Sequence, residues 1–151
     1  MSAPNPNLAV VQAQTTATTF RAEDATDSDF FIFGTLGSGV LKFEVVRKLP
    51  SKISTIIGQE FFDAMVAHFG LKNIKIIEGS WDSTNPQRAD NLTRFNQATA
   101  NPKIPLDVAA IIATRTGQWA DALGYNKATF VDLDPPNARG AFTKVIVHFS
   151  M

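Results

Sequence analysis

Apolar residues recur at every fourth position through Ile53, Ile57, Phe61, Met65 and Phe69, with Ile56, Phe62 and Val66 beside them. Gln59, Glu60, Asp63 and His68 occupy the other side, so the period predicts one amphipathic helix. Gly70, just past the last apolar position, supplies a residue able to take positive φ and predicts the helix end. Ahead of it, Val40-Leu41-Lys42-Phe43-Glu44-Val45-Val46 mixes β-branched and aromatic residues with two charges in partial alternation, which predicts a strand closed by Pro50. Asn73 to Trp81 predicts a further strand, entered by a short turn. Strand, helix and strand joined this tightly predict a crossover with parallel strands, around which the rest of the chain should pack.

Upstream, Met1 to Thr19 reads as a loose tail in which Leu8 to Val11 adds an edge strand. Thr18 to Ala22 predicts a short strand, Glu23 to Asp29 an acidic turn, Phe30 to Phe33 a strongly apolar strand and Gly34 to Gly39 a hairpin turn. Downstream, Ala89 to Ala98 fits a helix carrying Leu92 and Phe95 on one side. A longer helix is predicted from Leu106 through Leu123, with Val108, Ile111, Ile112, Trp119 and Leu123 inward and Gly117 as its weak point. Ala128 to Leu133 and Phe142 to Phe149 then predict an antiparallel hairpin with a long, turn-rich loop. The fold class predicted is α/β: one domain over 20–151, a mixed sheet flanked by helices, and an inserted helix after the strand ending at Trp81.

Composition narrows the function classes. With 151 residues and no cysteine, one domain is expected, and disulfides, a thiol nucleophile and thiolate metal sites are all excluded. Fourteen basic and fourteen acidic residues balance without a run of either sign, which argues against a nucleic-acid or anionic-membrane footprint. No apolar run approaches the roughly 20 residues that span a bilayer, and the first residues lack the pattern of a secretory signal. A cytoplasmic location in the producing cell is expected, with any export using a route other than a cleaved signal. The carboxylates of Glu23 to Asp29 lack the glycine and closing glutamate of a calcium loop, and His68 and His148 lack spaced acidic partners, so no metal is expected.

Element order and two segments resemble the GNAT N-acetyltransferase superfamily. Family members carry V-x-P-x-x-R-G-x-G-x-G/A-x-x-L-L, and Leu49-Pro50-Ser51-Lys52-Ile53-Ser54-Thr55-Ile56-Ile57-Gly58-Gln59-Glu60-Phe61-Phe62 can be laid over it without a gap. Ala120-Asp121-Ala122-Leu123-Gly124-Tyr125 similarly resembles the family segment that closes the last helix. The resemblance implies an acetyl-CoA or other acyl-CoA cofactor. Its pyrophosphate would lie on backbone N–H groups at a helix start, with Ser54, Thr55 and Gly58 as the cofactor-binding residues. It also implies a general base for an amine acceptor, for which Glu44 and Glu78 are the candidates. The family's proton-donating tyrosine falls at Ala120 here, and the loop's arginine and central glycine positions are Ile53 and Ile56.

Glu78-Gly79-Ser80-Trp81, Asp90-Asn91-Leu92-x-x-Phe95-Asn96 and Thr114-x-Thr116-Gly117 further resemble C-terminal modules of bacterial polymorphic toxins and injected effectors. Trp81, Asn91, Asn96 and Arg115 are the substrate-binding candidates on that likeness, since ligands in open α/β sheets favour the strand ends. The leading expectation is an effector or toxin module acting as an N-acyltransferase that uses acyl-CoA or another phosphate-bearing ligand. A catalytically inactive GNAT-like domain that binds a protein target or secretion-apparatus partner, or travels as secreted cargo, is the alternative. An ADP-ribosyltransferase-like toxin ranks third, because the late Glu-x-Glu it requires is replaced by Asp132-Leu133-Asp134.

Overall fold

The computed structural model describes residues 5–48 and 53–151. Leu49, Pro50, Ser51 and Lys52 of the family-like segment lie outside the described residues. The molecule is α/β, with seven strands and four α-helices among the described residues. It divides into two compact units, Met1–Ile74 and Lys75–Met151.

In the first unit β1 (Leu8–Val10), β2 (Thr19–Asp24), β3 (Asp27–Gly37) and β4 (Val40–Arg47) are consecutive antiparallel neighbours. The β3–β4 turn is only Ser38-Gly39, both at positive φ (52° and 78°), the geometry of a two-residue hairpin. The predicted six-residue turn is therefore mostly strand. Gly34 sits within β3 under α1 (Gly58–Phe69), where a Cβ would stand 2.3 Å from Met65 Sδ. Period-2 alternation places Phe20, Ala22, Phe30, Ile32, Leu41 and Val45 on one buried face. α1 closes that face with Phe61, Phe62, Met65, Val66 and Phe69, and ring pairs Phe30–Phe61 (5.0 Å) and Phe20–Phe69 (6.5 Å) span the contact. Part of the supposed loose tail is structured: β1 pairs with β2, and His68 Nε2 donates to the Thr16 carbonyl at 2.6 Å.

The helix starts later than its periodicity predicts. Ile53 and Ile57 precede Gly58 and are 91% and 60% exposed, while Ile56 is buried.

In the second unit β7 (Lys144–Ser150) lies between β5 (Ile76–Trp81) and β6 (Lys127–Asp134), antiparallel to both. The predicted terminal hairpin is present, and the expected helix after Trp81 is α2 (Pro86–Thr99). Asn85 accepts the Arg88 N–H at 2.9 Å and Pro86 opens the first turn, both ordinary start signals. Phe95 of α2 anchors an aromatic core, 5.6 Å from Trp81, 5.4 Å from Phe142 and 5.8 Å from Phe130.

The single long helix predicted over 106–123 is two: α3 (Leu106–Ile112) and α4 (Arg115–Ala122). Thr114 makes the break, because its hydroxyl accepts the Gly117 N–H at 2.9 Å and caps a new helix. Gly117 lets the two helices approach closely, since a Cβ there would fall 2.0 Å from the Ala110 carbonyl oxygen. The inward face is accordingly small: Ala109, Ala110, Thr116 and Ala120 are buried, whereas Val108 and Ile112 point out, Ile112 at 56% exposure.

Candidate functional site

The start of α1 is where the cofactor-binding residues were expected, and its polar groups are engaged with one another. Ser54 Oγ donates to Asp24 Oδ2 at 2.5 Å and accepts the Ile56 N–H at 3.1 Å. Asp24, at the end of β2 and 1% exposed, also accepts from the Thr26 N–H (2.8 Å) and hydroxyl (2.7 Å). Asn7 Nδ2 donates to Thr55 Oγ1 at 3.0 Å, and Asn5 Nδ2 donates to the Thr55 carbonyl at 3.0 Å. The Ile57 N–H is taken by Glu60 Oε1 at 3.0 Å. A helix start attracts anions through free N–H groups and its dipole. The N–H groups of Ile56 and Ile57, which precede the helix, are satisfied by side chains, and two carboxylates, Asp24 and Glu60, place negative charge beside its first turn. Gly58 is the first residue of the helix itself rather than part of a loop around a phosphate.

Asp24 is the residue that sequence reasoning missed, having placed it in a solvated acidic turn. Asp24-x-Thr26 is the pattern of a carboxylate that bonds a backbone N–H two residues on, which was the signal available. Its bond to Ser54, thirty residues away, had none.

The two catalytic candidates stand in different units. Glu44 is half-buried on β4, on the face of its sheet turned away from α1, in register with Phe33. Glu78 on β5 pairs directly with His148 on β7, and the imidazole Nε2–H donates to Glu78 Oε1 at 2.9 Å. That half-buried pair is an acid–base couple that spacing along the chain does not reveal.

The four substrate-binding candidates all make contacts within their own unit. Trp81 is 1% exposed in the aromatic core, and its Nε1–H has no partner among the described residues. Asn91 Oδ1 accepts the Arg115 N–H at 2.8 Å, and its Nδ2 donates to Thr116 Oγ1 at 3.3 Å, joining α2 to the start of α4. Asn96 pairs both ways with Phe142, donating Nδ2–H to the carbonyl and accepting the N–H, each at 2.9 Å. Arg115 and Arg94 both donate to Asp90 Oδ2 at 3.0 Å. Burial alone would raise the Asp90 pKa, but these two hydrogen bonds outweigh it and hold the carboxyl below its ordinary value. Asp82 is lowered in the same way: partial burial is outweighed by the Thr84 hydroxyl and N–H and by Arg88.

Among the described residues no group of three or more His, Cys, Asp or Glu side chains is placed to hold a metal ion. No helix among them is long and apolar enough to cross a membrane. No family model, curated protein or solved structure matches the chain.

Proposed function

We propose that the chain is a GNAT-like module of the effector or toxin type that works by binding a protein, or travels as secreted cargo, without acyl-CoA chemistry. One observation carries this: the Ser54 hydroxyl, the best-placed phosphate donor at the start of α1, donates to the buried Asp24 carboxylate at 2.5 Å. A pyrophosphate using Ser54 and the Ile57 N–H would have to displace Asp24 and Glu60 from them, at the cost of close like-charge contact. Ile53 and Ile57, exposed beside that helix start, are apolar anchors of the kind that protein contacts bury.

Isothermal titration with acetyl-CoA is the test. No heat at millimolar ligand is expected; saturable binding that is lost in a Gly58→Val protein would overturn the reading.

The half-buried Glu78–His148 pair favours a second reading, an acyl-transfer enzyme in which a carboxylate-oriented imidazole takes the acceptor amine's proton. Acyl-CoA turnover that disappears in His148→Ala and survives in Glu44→Gln would select it.

A further inference from the structure

β3 is written for burial on both faces. Phe30 and Ile32 lie under α1, while Phe31 and Phe33 project from the opposite face, where no α-helix of this unit packs among the described residues and where both rings remain half-buried. A continuous apolar run of this sort belongs to strands covered on both sides, not to a strand with one wet face. The charges around the two rings show what fits. Register places Arg21, Phe33 and Glu44 in one cross-strand row, and Glu23, Phe31 and Val46 in the next. Each row reads along neighbouring strands, so opposite charges flank Phe33 symmetrically.

We propose that this face docks a second copy of the chain, sheet against sheet, about a two-fold axis running along β3. Rotation about that axis exchanges the β2 and β4 sides of the row. Arg21 of one copy then meets Glu44 of its partner, Glu44 meets the partner's Arg21, and Phe33 meets Phe33 across the roughly 10 Å that separates packed sheets. Such an interface is isologous and self-complementary. An acidic or a basic partner would meet repulsion from half of the same patch. Arg21 is poised for it: its guanidinium lies 3.8 Å over the Phe31 ring and 3.5 Å from Glu23, with the side chain 20% exposed. Its five donors leave several for a second carboxylate.

This face lies on the other side of the sheet from α1, so its test is independent of acetyl-CoA binding. Sedimentation of the full chain over a concentration series should show a monomer–dimer equilibrium. Phe33→Ser should weaken it at least about tenfold, as loss of a central aromatic anchor does. Arg21→Glu and Glu44→Arg should each be monomeric, because each places like charges together twice. An equimolar mixture of the two variants should dimerise again, since every contact is then opposite in sign, and the double variant should dimerise alone. Circular dichroism and melting curves establish that each variant is folded, and if Arg21→Glu is not, Arg21→Gln with Glu44→Gln replaces the pair and should weaken the dimer without charge repulsion. A wild-type chain that stays monomeric throughout, or folded charge variants whose mixture stays monomeric, overturns the proposal.

Discussion

β7 and β3 each have a paired strand on both sides, yet only one has a sequence that its own unit explains. In β7, Val145, Val147 and Phe149 are buried against the helices, while Lys144, Ile146 and His148 alternate with them on the other face. Each polar residue has a use, as in the Lys144–Asp132 and His148–Glu78 pairs. In β3 the alternation fails, because Phe31 and Phe33 stand where polar residues would suffice. A one-sided strand is complete once its helix is in place, whereas a two-sided strand asks for something more.

Measurements can break that contrast. Phe149→Ala should cost the most, about 3–5 kcal/mol by denaturant unfolding, because it hollows a closed aromatic core. If Phe31→Ala costs the same in the monomer, the two strands are not different in kind; about 1 kcal/mol is expected from a half-buried position. Between them falls Gly117→Ala at about 3 kcal/mol, because the new methyl would meet the Ala110 carbonyl and push α3 from α4. A gain of about 1 kcal/mol, the helix-propensity difference alone, would show that the helices are not in contact there.

The smallest effect is in acid. Asp90 and Asp82 both have folded pKa values below the ordinary carboxylate value near 4. Their contribution to stability is therefore present above that value and lost as pH falls through the folded value. Asp90→Asn should flatten the fall of the melting temperature in acid, and an unchanged pH profile would mean the Arg94 and Arg115 contacts add nothing. The side chains are exposed enough that solvent screening keeps this modest.

Element types were legible because period and burial coincide: Phe61, Met65 and Phe69 are inward at helical spacing, and Val145, Val147 and Phe149 at strand spacing. Boundaries failed where a side chain outbid the period. Ile53 and Ile57 keep the four-residue recurrence, yet Ser54 takes the Ile56 N–H and Ile57 stays extended at φ −103° and ψ 154°. Thr114 likewise cut one predicted helix in two. The candidate site was less legible, since Asn91 and Asn96 are polar for the sake of backbone groups far along the chain. Glu78 is an exception of another kind: its partner His148 comes from strand pairing, which no local window contains.

Asn96 presents to Phe142 the same donor and acceptor that a neighbouring strand would. Helix α2 and the approach to β7 are thereby fastened on the far side of the exposed turn at Pro135, Pro136 and Asn137. Proteolytic nicking in that turn should leave the two fragments associated, and the same bond makes it a site where new termini can be opened by circular permutation.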